Sequence, residues 1–242
     1  MSLEARNGRP SRGARVFSAR GLYAIVDVTS LAARRVDPVA FAEAVLGAKP
    51  VALQVRAKSS SRAELVALLR ALAPACRVAN VPLVCNDDLD AALLGGADML
   101  HLGQDDAPVA AVRARAPHLL FGLSTHDLDQ LDRALAFEPA YVAFGPLFPT
   151  RSKTDASPVV GLDGLARAKE RVGTRAPRTP LVGIGGIDLE RAPSVAPLAD
   201  AGAVISDLLL DGLDGVTRRA SLLHEALGGR AHNPEDSQQE RA

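Results

Sequence analysis

The chain has no tryptophan, 3% aromatic residues, two cysteines and no excess of charge, with 28 Lys plus Arg against 28 Asp plus Glu in 242 residues. Each scarcity removes a class of protein. Balanced charge leaves no global field to attract nucleic acid or an anionic membrane surface, so any affinity for phosphate must be local. Cys76 and Cys85 lack CxxC spacing and lie in apolar surroundings, which argues against a disulfide frame and fits a reducing cytoplasm. No apolar run approaches the roughly 18 residues of a membrane span, and no charged n-region leads into an apolar h-region. A soluble, cytoplasmic protein with small-molecule partners, and neither nucleic acid nor membrane as partner, is expected. No heptad repeat argues for a particular assembly.

What is present is 48% hydrophobic content, enough to bury a sizeable core in one domain. Residues 1–20 hold five Arg against one Glu without apolar periodicity, and residues 228–242 are polar and punctuated by Gly and Pro. Both are expected to be disordered tails, with the fold confined to 21–227. Between them, apolar runs of β type alternate with segments of helical periodicity. The runs are LYAIVD (22–27), VALQVR (51–56), PLVCND (82–87), DMLHLG (98–103), LFGLST (120–125), YVAFG (141–145), LVGIGG (181–186) and GAVISD (202–207). Eight strands alternating with helices predict a single-domain α/β fold, the closed (β/α)8 TIM barrel, with a doubly wound open sheet as the alternative. Ser61, and Thr125 or Asp127, stand where helix caps belong.

Active sites of such barrels gather at the carboxyl ends of the strands, so the polar residues that end the runs are the candidates. In order they are Gln54, Arg56 and Lys58; Asn86, Asp87 and Asp88; Gln104, Asp105 and Asp106; then Ser124, Thr125 and His126. Clustered carboxylates call for a cation, and Mg²⁺ typically takes one or two carboxylates while phosphate and water complete its shell. Asp87 and Asp106 suit that role; Asp88 and Asp105 suit helix N-caps, and spacing alone leaves the division open. VGIGGID and VISD end the seventh and eighth runs, where barrels often hold phosphate on glycine-rich backbone. The long segment FGPLFPTRSKTDASPVVG (144–161) carries Thr150, Ser152 and Lys153 and reads as a substrate-covering loop. Lys153 and Arg56 would then face a second phosphate-bearing group. His126 follows Ser124 too closely on a strand to be its base, and His101, inside an apolar run, reads as a hydrogen-bonded core residue.

Taken in order, these motifs resemble the thiamine phosphate synthase family, whose fold is a (β/α)8 barrel, over residues 21 to about 208. LQVRAK matches at Gln54, Arg56 and Lys58; VCNDD and HLGQDD match at Asn86, Asp87 and Asp106; FGLSTH matches at Ser124. The resemblance implies Mg²⁺ on Asp87 and Asp106, and pyrimidine diphosphate bound by Gln54, Arg56, Lys58, Asn86, Ser124 and Lys153. It further implies a thiazole phosphate held by Thr150, Ser152, Gly186, Ile205 and Ser206. The implied reaction joins 4-amino-2-methyl-5-hydroxymethylpyrimidine diphosphate to thiazole phosphate, giving thiamine phosphate and diphosphate, with Lys58, Ser124 and Lys153 assisting departure of the diphosphate. Ala57 stands where the family usually has Glu, and strand alternation should point it away from the mouth. Two rivals share this barrel: a thiazole tautomerase type, which carries a His where this chain reads GPLF, and a non-catalytic phosphate-ligand sensor.

Overall fold

The computed structural model of the chain describes residues 20–150 and 158–230. Eight parallel strands pair in sequence order and close on themselves: β1 Gly21–Asp27, β2 Ala52–Arg56, β3 Leu83–Asn86, β4 Met99–Leu102, β5 Leu120–Thr125, β6 Tyr141–Phe144, β7 Leu181–Ile184 and β8 Ala201–Val204. Every expected run supplies a strand, and closure of β8 on β1, with Tyr23 opposite Ala203, makes the sheet a barrel rather than an open one. Most strands stop short of the expected run. Asp87 leaves the ladder with φ 64°, and Gly185 and Gly186 leave with φ 99° and 65°. Where a strand stops short, the polar or glycine residue ending the run belongs to the mouth, not to the sheet, whereas Asp27, Arg56 and Thr125 are the last residues of their strands.

Helices cover the outside for local reasons that the sequence states. Arg62–Ala79 starts at Ser61, whose side chain and that of Glu64 bond each other's backbone N–H, and it buries Leu65, Leu69, Leu72 and Cys76 on one stripe. Asp127 caps Leu128–Leu135, and Asp88 caps Leu89–Gly95 by accepting from the Ala91 N–H. Asp105 does not cap: the chain bends through 104–107, the next helix begins only at Val109, and Pro108 precedes it with no side-chain cap.

Strand alternation divides the core into two shells. Leu22, Ala24, Val26, Leu53 and Val55 face the helices; Tyr23, Ile25, Ala52, Val84, Met99, Tyr141, Ala143 and Ala203 fill the bore. Ala57 packs with the outer shell, as alternation predicts, so its departure from the family pattern removes nothing from the mouth. Both cysteines are buried free thiols, and burial pushes each up to about 12, which makes them inert packing groups. Among the described residues no helix is long and apolar enough to cross a membrane.

Candidate active site

The carboxyl ends of β3 and β4 bring Asp87 and Asp106 together. Asp87 N–H donates to the His101 carbonyl at 2.8 Å, which turns the residue over the end of the neighbouring strand. Asp106 folds back so that Oδ2 accepts the Gly103 N–H at 2.6 Å. Burial, then the hydrogen-bonded Asp106 carboxyl beside it, pushes Asp87 above the usual carboxylate range, while Lys58 pulls the other way. Lys58 Nζ lies 2.6 Å from Asp87 Oδ2. Two adjacent carboxyls, with oxygen donors only, fit a hard divalent cation. Among the described residues no group of three or more His, Cys, Asp or Glu gathers, so a cation here would draw its remaining ligands from substrate and water.

Asp27 escaped the sequence reading. It ends β1, is buried, and accepts from Arg56 Nη1 at 2.5 Å through Oδ2 while Oδ1 caps the following turn through Ser30 N–H at 2.8 Å. Arg56 is thus aimed from β2 by a carboxylate on its neighbour, with further N–H donors left over. The signal that would have found Asp27 is the rule applied to the other runs: it is the polar residue that ends the first one.

Gln54 and Ser124 lie inside the bore and are joined through buried side chains. Gln54 Nε2 donates to Tyr23 Oη at 3.1 Å, Tyr23 and Tyr141 hydroxyls lie 2.7 Å apart, Tyr141 Oη is 2.8 Å from His101 Nδ1, and His101 Nε2 is 2.8 Å from Ser124 Oγ. Gln104 Nε2 donates to the Ser124 carbonyl at 2.6 Å, fixing that strand end from the loop after β4. His101 is therefore the hydrogen-bonded core residue expected. His126 instead donates Nδ1–H to the Gly145 carbonyl at 2.7 Å and braces the start of the strand-six loop.

Gly186, Ile205 and Ser206 follow the adjacent strands β7 and β8. A Cβ on Gly186 would meet Phe148 and the Pro149 carbonyl, and one on Gly185 would meet Pro146. The glycines are needed because the strand-six loop crosses directly over them, with Phe148 N–H donating to Gly185 O at 3.0 Å. Arg191 locks the crossing by donating to Gly186 O at 2.8 Å while its guanidinium lies 5.0 Å from the Phe148 ring centre. Ser206 opens a 3-10 turn, Ser206–Leu209, whose Asp207 accepts two bonds from Arg219 at 2.9 and 2.7 Å. Thr150 is half-buried at the end of the described loop, and Asn86 is half-buried at the end of β3. Ser152 and Lys153 lie outside the described residues.

Fold and mouth define the class: a (β/α)8-barrel enzyme with an acid pair and cationic side chains at the carboxyl ends of its strands. Comparison with known proteins narrows it. The profile of the family described as thiamine monophosphate synthase matches residues 22–208. A thiamine-phosphate synthase of Roseiflexus sp. (strain RS-1) is 38% identical over 190 residues, 78% of this chain and 78% of the relative. One from Bordetella avium is 44% identical over 160 residues, 65% of this chain and 74% of the relative. The solved structure of thiamine phosphate pyrophosphorylase from Pyrococcus furiosus superposes with a TM-score of 0.74 at 28% identity, covering 89% of this chain and 96% of that one. The chain belongs to the thiamine monophosphate synthase family.

Proposed function

We propose that the chain condenses 4-amino-2-methyl-5-hydroxymethylpyrimidine diphosphate with thiazole phosphate to give thiamine phosphate and diphosphate. The observation that carries this reading is the meeting of Asp87 and Asp106 beside Lys58, a site shaped for a cation and a polyphosphate. Mg²⁺, held by Asp87 and Asp106, would supply positive charge to the diphosphate.

The rest falls to side chains of the chain itself. Arg56, aimed by Asp27, and Lys58 receive the diphosphate oxygens, joined by Lys153 from the strand-six loop, and Ser124 donates its hydroxyl proton there. Gln54 and Asn86 hold the pyrimidine. As the methylene carbon–oxygen bond breaks, the electron pair leaves with diphosphate, the amino-substituted ring spreads the positive charge, and the thiazole nitrogen attacks the methylene. No covalent nucleophile or strong base is required, so fixed electrostatics and positioning carry the rate. Thr150, Ser152, Gly186, Ile205 and Ser206 hold the thiazole phosphate. The protein is a cytoplasmic one on this reading. Neither rival gains support: the segment 145–148 carries no histidine, and Ala57 packs away from the mouth.

The deciding experiment mixes purified protein with both substrates, with Mg²⁺ and then with chelator, and assays thiamine phosphate and diphosphate together. Equimolar products with metal and none with chelator are expected. Absence of both products under metal-replete conditions overturns the reading.

A further inference from the structure

Gln54, Tyr23, Tyr141, His101 and Ser124 come from β2, β1, β6, β4 and β5, so their hydrogen-bonded line crosses the bore instead of following one strand. None of the five is more than 7% exposed. The proposed function uses only the two ends of the line, and Tyr23, Tyr141 and His101 have no part in it. Room for the line is built in: a Cβ on Gly122 would overlap the Tyr141 ring, which lies across β5.

A phenol has one proton to give and a neutral imidazole one N–H, so if each phenol donates along the line it can run in only two directions. Running forward, the Gln54 amide donates to Tyr23, Tyr23 to Tyr141, Tyr141 to His101 Nδ1, and His101 Nε2–H to Ser124 Oγ. Running backward, every link reverses, and the Ser124 proton is spent on His101. Each direction is cooperative within itself, because every donor is polarised by the bond it accepts.

We infer that the line runs forward and thereby sets the polarity of the substrate site: Gln54 presents its amide oxygen to the pyrimidine amino group, and Ser124 presents its hydroxyl proton to the diphosphate. This rests on the placement of both ends against substrate argued above. Gln54 Nε2, not its oxygen, faces Tyr23, which leaves Oε1 for a ligand. An amino group needs an acceptor and a diphosphate oxygen needs a donor, so the two ends of the substrate favour the same direction. The backward line would set donor against donor at one end and acceptor against acceptor at the other. Burial also pushes both tyrosines far above the usual phenol range, so Tyr141 stays neutral and provides no anion to stabilise an imidazolium. His101 is accordingly a positioning residue, not the base of a Ser–His pair, and Tyr23 and Tyr141 position in the same sense.

The test reads the His101 proton directly, by nitrogen-15 NMR of the histidine side chains at alkaline pH, where imidazole is neutral. The His101 signals are assigned by their loss in His101→Gln. The expected tautomer carries its proton on Nε2; a proton on Nδ1 overturns the inference. Gln54→Glu places an acceptor against Tyr23 and should reverse the line, moving the His101 proton to Nδ1 from three links away. Retention on Nε2 in that variant also overturns it. In turnover, Tyr141→Phe should lower kcat roughly 10- to 100-fold with the KM for thiazole phosphate unchanged. Adding Ser124→Ala to Tyr141→Phe should cost little more, because the serine proton is already misdirected; fully additive losses overturn the coupling. If the wild-type protein makes no thiamine phosphate, the proposed function fails, while the tautomer and its reversal still decide the direction of the line.

Discussion

Arg56 Nη1 and Asp27 Oδ2 meet at 2.5 Å across the carboxyl ends of β1 and β2, with Asp27 3% exposed. The pair fixes a cation at the mouth with a carboxylate that substrate does not reach first. Asp27→Asn keeps an acceptor for the Ser30 N–H but removes the charge and sets an amide N–H against Arg56 in place of the second carboxylate oxygen. The fold should lose about 3 kcal/mol, because the half-buried guanidinium keeps its charge without its partner. The KM for the pyrimidine diphosphate should rise while that for the thiazole phosphate holds. Urea denaturation and steady-state kinetics measure the two effects, and unchanged values for both would remove Asp27 from the site.

Asp87 bears a carboxyl raised by burial and by Asp106, so its charge weakens the metal-free fold once the pH rises above that raised value. Asn suits its φ of 64° better than Ala does, which makes Asp87→Asn the clean substitution. In chelator the variant should melt no lower than wild type. It should lose the rise in Tm that Mg²⁺ gives the wild type and at least roughly 100-fold in turnover. Calorimetry with and without Mg²⁺ checks the first two, and a wild-type-like metal response would take Asp87 out of the cation site.

The barrel was legible because parallel strands covered on both faces read as short apolar runs, and each run is bounded by turn or helix signals. The acid pair was legible because polar residues ending adjacent runs must share one mouth. Asp27 obeys the same rule, but a lone acid before a helix start reads first as a cap, and it is one. The Tyr23–Tyr141 contact was not legible, since β1 and β6 are not neighbours and only the stagger of the closed barrel decides which side chains meet across the bore. The double glycine in VGIGGID reads as a phosphate turn; that the strand-six loop crosses over it is a tertiary fact which no local pattern encodes.

Gly122 sits in the middle of β5, where a glycine normally weakens a strand. Here it admits the ring of Tyr141, directly opposite in the β5–β6 register. Gly122→Ala should therefore destabilise the fold by about 1–3 kcal/mol through overpacking, even though Ala has the better strand propensity. A lower urea midpoint with an unchanged m-value is the expected readout. A midpoint equal to wild type would mean that the ring moves aside freely.

His224 ties the last helix to the first strand. Its Nδ1 accepts the Leu22 N–H at 3.3 Å, and its ring fills the space where a Cβ on Gly21 or Gly229 would stand. That bond requires a bare Nδ1, and burial lowers the imidazole below its ordinary 6.5, against a smaller upward pull from Glu225. The unfolded chain therefore binds this proton more readily than the folded one. Its contribution to stability is fully present above 6.5 and is lost as the pH falls through the lowered folded value. Urea midpoints followed from about pH 8 to about pH 5 should decline with acid in the wild type. His224→Asn keeps an acceptor near the Leu22 N–H but cannot take up the proton, so its curve should start lower and fall less steeply. Parallel curves for the two proteins would assign the acid sensitivity to another group.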